Sequence, residues 1–138
     1  MDSNPTRVDL RGSCQCGAVR LLADLPSLWL AHCHCTLCRK AHGAGFVTWI
    51  GFAAERCQIE DSQHALRWYA SSAGAERGFC SGCGSMLLFR SQRWPGELHV
   101  AVGMLDDAPD RAAEMHVHWA DHVAWSGVDC HDGLPRKD

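Results

Sequence analysis

Seven of the nine cysteines fall into three tight groups: Cys14-Gln15-Cys16, Cys33-His34-Cys35-Thr36-Leu37-Cys38 and Cys80-Ser81-Gly82-Cys83. Cysteines one or two residues apart make poor disulfides, because the bond needs Cα atoms roughly 4.4–6.8 Å apart with converging Cβ vectors. Thiolates around a tetrahedral ion meet no such pairwise demand. A zinc ion collects two from one turn and two from another at Zn–S distances near ~2.3 Å. Gly17, Gly82 and Gly84 lie where such turns fold back on a metal. Cys14, Cys16, Cys80 and Cys83 therefore read as a closed, structural four-thiolate zinc set. A redox dithiol at Cys80 and Cys83 would need a strand-to-helix setting, and the following Ser85-Met86-Leu87-Leu88-Phe89-Arg90 reads as a strand.

The middle group differs in kind. Cys33, Cys35 and Cys38 offer three thiolates within six residues and no obvious fourth, which is the pattern of a catalytic zinc with one open position. A histidine could close the sphere and make this a second structural site. Among His32, His34 and His42, His34 lies between two ligands and should point away, which leaves His42 as the better candidate.

Short strands must position these groups. Runs rich in Val, Leu and aromatics, separated by Gly, Pro, Asp or Ser, predict strands over 18–22, 28–32, 46–51, 66–70, 86–89, 97–102 and 116–119. Thr36 to His42 reads as the one helix, with Thr36 as N-cap and Gly43 and Gly45 ending it, and a second short turn is expected over Asp107 to Ala113. The fold class is mainly β. A metal joining the first group to the third would fix strand register, so metal binding would be part of the folding free energy. The first six residues and the tail Leu134-Pro135-Arg136-Lys137-Asp138 read as loose.

Composition removes several function classes. A chain of 138 residues fits a single domain over 1–138, with its core over about 11–136. Thirteen Lys and Arg against sixteen Asp and Glu give a net charge of −3, so the positive field that drives nucleic-acid binding is missing. No apolar run approaches the ~18 residues of a membrane helix, and the opening residues lack the blocks of a signal peptide. The expected location is the cytoplasm, where so many thiols point to metal rather than to disulfides. The isolated Cys57 and Cys130 read as inert bystanders.

Three stretches together, Gly12-Ser13-Cys14-Gln15-Cys16-Gly17-Ala18-Val19-Arg20, Cys33-His34-Cys35-Thr36-Leu37-Cys38-Arg39-Lys40 and Arg77-Gly78-Phe79-Cys80-Ser81-Gly82-Cys83-Gly84-Ser85, resemble the glutathione-dependent formaldehyde-activating enzyme family, which includes the centromere protein V relatives. The likeness continues through Val102-Gly103-Met104-Leu105-Asp106 and His116-Val117-His118-Trp119. The resemblance implies a β-tent fold of small antiparallel sheets stapled by zinc, with two Zn2+ per chain. By position, Cys14, Cys16, Cys80 and Cys83 match the structural ligands and Cys33, Cys35 and Cys38 the catalytic ones. The implied activity is that of a carbon–sulfur lyase, S-(hydroxymethyl)glutathione synthase-like, and the implied partners are a small thiol such as glutathione and a small aldehyde. The chain departs from the family in Cys57, Cys130 and a His-rich ending at His116, His118, His122 and His131.

A metal at the three-cysteine group would lower the pKa of a bound thiol, and the thiolate could then add to an aldehyde held beside it. Arg39, Lys40 and Arg77 are candidate anchors for substrate carboxylates, with solvated surface charge as the alternative. His42, His118 and Asp121 are candidates for proton transfer, and His118 for substrate contact. Trp49, Trp68, Trp119 and Trp125 could wall a pocket or fill a core. Two other readings compete with the enzyme: a non-catalytic zinc-stapled scaffold for protein interaction, and a zinc-ribbon nucleic-acid binder, which the charge disfavours.

Overall fold

A computed structural model describes residues 8–127 and 132–138. Cys130, His131 and the first six residues, which the sequence predicts to be loose, lie outside the described residues. The strands are β1 (Asp9–Ser13), β2 (Arg20–Asp24), β3 (Trp29–Cys33), β4 (Val47–Ala53), β5 (Cys57–Glu60), β6 (Leu66–Ser72), β7 (Ala75–Cys80), β8 (Met86–Ser91), β9 (Glu97–Ala101) and β10 (Met115–Val117); the helix α1 is Thr36–His42. They form a three-stranded sheet, β1-β2-β5, and a seven-stranded sheet, β10-β3-β4-β9-β8-β7-β6. Every strand-to-strand pairing described is antiparallel except β10 with β3, which is parallel, as is the isolated bridge of His116 to Arg136.

Period-two alternation divides the larger sheet into two functional faces. On β3, β4 and β9, Leu30, Ile50, Phe52, Leu98 and Val100 enter an apolar cluster with Leu10 and Leu21 of the small sheet and Val19 just before β2. Their neighbours Ala31, Cys33, Trp49 and His99 border a cavity on the opposite face. The central strand β4 is thus covered on both sides, which is why Val47-Thr48-Trp49-Ile50-Gly51-Phe52-Ala53 reads as a nearly continuous apolar run. A shift in the β7–β8 register lets Gly78 pair with Leu88 and Phe79 with Met86. Leu87 is the extra residue, and both Leu87 and Leu88 reach the core.

The helix has the expected bounds, with two changes at its ends. Cys35 caps it, its sulfur accepting from the Cys38 N–H, and Gly43 alone closes it in the left-handed conformation at φ 61°. The segment 107–113 is not helical. Its acidic side chains bond elsewhere: Asp107 accepts from the Arg11 N–H at 2.8 Å, and Asp110 accepts from the Ser27 N–H and hydroxyl at 3.0 and 2.6 Å. These long-range bonds hold the segment against β1 and the turn before β3. The tail is also tied down rather than loose. The His116 N–H donates to the Pro135 carbonyl at 2.9 Å, and the Lys137 and Trp119 N–H groups donate to the His116 and Lys137 carbonyls.

Strand β2 begins at Arg20 rather than Ala18, because the Cys14 N–H donates to the Val19 carbonyl and closes a tight turn first. The exposed Trp125 and the outer Trp68, beneath the Arg90 guanidinium at 3.7 Å, do not border the cavity; Trp119 stacks on His122 at 3.9 Å. Gly51 opposes Trp29 across β3 and β4. A Cβ there would run into the Trp29 indole, so Gly51→Ala is expected to cost about 1–3 kcal/mol by overpacking. Denaturant unfolding followed by tryptophan fluorescence checks this.

Candidate functional site

Two cysteine sets come together, and they differ in closure. The first draws Cys14 and Cys16 from the turn after β1, Cys80 from the end of β7 and Cys83 from the turn that follows. All four sulfurs lie within 4.8 Å of one another. Gly17 and Gly84, at φ 81° and 80°, let these turns reverse where a side chain would be strained. The Gln15 N–H donates to the Ser85 hydroxyl at 3.0 Å and pins one turn to the other.

The sulfur spacing fits a metal. A tetrahedral ion with Zn–S near ~2.3 Å sets its ligands about 3.8 Å apart. Cys14 and Cys16 are 3.6 Å apart, and Cys16 and Cys80 are 3.7 Å apart, far beyond disulfide length. The thiols respond unequally to this crowding. The Ser85 hydroxyl and N–H hold Cys83 down at about 5. Cys16 is pulled down by the Ala18 N–H, yet the nearby Cys14 and Cys83 outweigh it and push it up to about 11. A cation relieves that repulsion and lets all four ionise.

The second set combines Cys33 at the end of β3 with Cys35 and Cys38 around the start of α1. Its three sulfurs also lie within 4.8 Å of one another, and those of Cys33 and Cys38 are 3.6 Å apart. No histidine among the described residues joins this set. His42 stands edge-on to Trp49 instead, its pKa lowered to about 4 by burial and by the charge of Arg77. Contacts from Cys33 and Cys38 draw Cys35 down to about 2, while contacts with Cys35 and Cys38 push Cys33 up. The donor set suits a thiophilic ion with one position left for an outside ligand.

These three cysteines border a cavity of about 350 Å³. Trp29, Trp49, Phe89 and Trp94 give it an aromatic wall. Arg77, from β7, is 4 % exposed; its Nη2 donates to the Cys38 sulfur at 3.5 Å and its guanidinium lies 5.0 Å from the Phe89 centroid. Its Nε and Nη1 have no partner among the described residues. A buried cation is costly without counter-charge, which a thiolate in the neighbouring cysteine set would supply in part. His118 and Lys137 also border the cavity. Of the other candidates, Arg39 turns back to the Thr36 hydroxyl at 3.3 Å and Lys40 is exposed; these two and Asp121 lie outside the cavity wall.

Behind the set, His34 does point away from the metal position. Its Nε2 meets His116 Nδ1 at 2.8 Å, and His116 Nε2 meets Asp132 at 2.6 Å. This chain anchors the Cys33–Cys35 turn to β10 and the tail. The sequence reading missed Trp29, Phe89, Trp94 and His99. The signal for His99 was available: a histidine two positions after Glu97 shares its face of a strand that is otherwise apolar.

A mainly β chain that gathers a four-cysteine and a three-cysteine set, each of which could hold a metal ion, has the makings of a metal-binding protein. The profile of the glutathione-dependent formaldehyde-activating enzyme family matches residues 9–121, and the chain belongs to that family. A protein of Halomonas elongata named "Putative glutathione-dependent formaldehyde-activating enzyme" is 30% identical over 141 residues, covering 93% of this chain and 90% of that one. An uncharacterized lyase of Schizosaccharomyces pombe is 32% identical over 81 residues, 59% of this chain and 57% of its own. The fold resembles the crystal structure of a Rhodobacter sphaeroides protein, with TM-score 0.60 and 22% identity over 91% of this chain and 98% of that one.

Two outcomes separate the sets. Cys80→Ser is expected to lower the melting temperature by more than about 10 °C or abolish cooperative unfolding, whereas Cys38→Ser keeps a cooperative melt. Calorimetry with metal analysis checks both. The Asp132 carboxyl is held below the ordinary carboxylate range by the bond to His116 and the Leu134 N–H. A depressed carboxylate stabilises above its unfolded pKa and loses that contribution as pH falls through its folded value. The melting-temperature gap between the wild type and Asp132→Asn should therefore be open at neutral pH and close below about pH 4.

Proposed function

We propose that the chain is a zinc-dependent, carbon–sulfur lyase-like enzyme that forms or cleaves the thiol adduct of a small aldehyde, in the manner of an S-(hydroxymethyl)glutathione synthase. The observation that carries this reading is the juxtaposition of the three-cysteine set with an aromatic-walled cavity and a buried, half-partnered Arg77. A purely structural site would have no use for such a cavity beside an incomplete donor set. On this reading the four-cysteine set holds a structural zinc that ties the sheets of a β-tent, and Cys33, Cys35 and Cys38 hold a second. The chain acts as one domain, in the cytoplasm, where its thiols stay reduced.

When bound at Cys33, Cys35 and Cys38, zinc would supply Lewis acidity that lowers the pKa of an incoming thiol. The protein's own groups do the rest. Arg77 borders the cavity and brings a positive charge to a carboxylate of the thiol substrate. Trp29, Trp49 and Phe89 keep water from the reacting sulfur and carbon. His118, exposed and bordering the cavity, meets the outer part of the substrate. Adding a thiol to an aldehyde needs little bond reorganisation, so holding the two reactants together supplies most of the gain.

The test is NMR exchange spectroscopy of glutathione with formaldehyde. The zinc-loaded protein is expected to accelerate formation and breakdown of the adduct, and Cys33→Ser to abolish the effect. Arg77→Gln is expected to raise KM for glutathione roughly 10- to 100-fold, the loss of a charge-assisted bond. No acceleration, together with chelation that unfolds the chain and no competition between thiols and metal, would favour the non-catalytic scaffold for protein interaction.

A further inference from the structure

His99 is an unusual occupant of the cavity wall. It sits in the middle of β9 between the buried Leu98 and Val100 and is itself 6 % exposed. Trp29, Trp94 and Phe89 surround its ring at centroid distances of 4.7, 5.3 and 5.7 Å. An apolar side chain would fill such a place without the desolvation cost of an imidazole.

The hydrogen bonds fix which nitrogen is free. Glu97 Oε1 accepts from the Trp29 Nε1–H at 3.2 Å and lies 2.9 Å from His99 Nε2. An indole nitrogen can only donate, so Oε1 acts as an acceptor there, and Nε2 must carry a proton to bond to it. The lone pair of the neutral ring is then on Nδ1, for which no group of the described residues is a hydrogen-bond partner. Burial favours the neutral ring and lowers its pKa, against the opposing pull of Glu97. A base held by a carboxylate through one nitrogen, with the other nitrogen free beside a reaction cavity, is the arrangement that general acid–base catalysis requires.

We propose that His99, oriented by Glu97, is the proton-transfer residue of the cavity, with Glu97 as its positioning residue. This rests on the thiol–aldehyde reading above. In the forward direction Nδ1 takes the proton of the incoming thiol while a sulfur electron pair forms the bond to the aldehyde carbon. The carbonyl π pair moves to oxygen, and Nδ1 returns the proton there. The sum is addition of S–H across C=O, with the ring restored and no oxidant or reductant needed. Cleavage of the adduct runs the same steps backwards. His118, one of the sequence-based candidates, is exposed and has a left-handed backbone at φ 55°, and no carboxylate of the described residues accepts a hydrogen bond from its ring.

The experiment measures glutathione–formaldehyde exchange by NMR for the zinc-loaded wild type, His99→Ala and Glu97→Gln, each with its zinc content and thermal melt. His99→Ala is expected to lower kcat by about 100-fold or more with KM nearly unchanged, and added imidazole to restore part of the rate. Glu97→Gln is expected to lower kcat less, without rescue by imidazole. If the wild type accelerates exchange and folded, zinc-replete His99→Ala matches it, or loses rate without any rescue by imidazole, the proposal falls and the thiol–aldehyde reading stands. If His99→Ala does not fold, His99→Gln takes its place, and a kcat equal to the wild type's again overturns the assignment. If the zinc-loaded wild type itself gives no acceleration, both fall.

Discussion

Cys16 and Cys80 lie 64 positions apart in the chain, yet their sulfurs are 3.7 Å apart. That closure joins the turn after β1 to the end of β7, and so the small sheet to the far half of the large one. Backbone contacts at this seam are correspondingly tight. Gly12 bridges Leu105, and a Cβ on it would stand 2.7 Å from the Met104 carbonyl oxygen. Short strands bury little area each, so the ion that the four sulfurs could hold would contribute directly to folding free energy.

With the frame tied there, the large sheet is free to carry a site on its other face. Strict alternation along β3, β4 and β9 sends Leu, Ile, Val and Phe to the core and Cys, Trp and His to the cavity. The open cysteine set therefore sits on rigid strand and helix ends rather than on a long loop, which favours precise placement of a reacting sulfur. Its charge balance is local. Arg77 reaches it from β7, and the His34–His116–Asp132 chain holds the turn from behind.

Much of this was legible in the sequence because cysteine spacing is a nearly complete statement of metal geometry. Both sets assemble as the spacing requires, and α1 spans Thr36–His42 as read from its flanking residues. The strands β1, β5 and β7 were not legible. Asp9-Leu10-Arg11-Gly12-Ser13 and Cys57-Gln58-Ile59-Glu60 are outer strands of the small sheet, and Ala75-Glu76-Arg77-Gly78-Phe79-Cys80 carries charge and glycine where a strand usually shows alternation. The cavity was illegible for a similar reason. Its wall joins β3, α1, β4, β7, β8, β9, β10 and the tail, and no single segment records which tryptophans will meet. Trp49 reaches it, whereas Trp68 and Trp125, indistinguishable from it by composition, do not.

The contrast between a closed and an open cysteine set is tested most directly by zinc per chain, measured on protein purified without added metal and again after dialysis against glutathione. Close to two equivalents are expected, with one of them lost or perturbed by the thiol. Two equivalents indifferent to thiol would mean that Cys33, Cys35 and Cys38 belong to a second closed site. One equivalent, unchanged by glutathione, would mean that the three-cysteine set does not hold zinc at all.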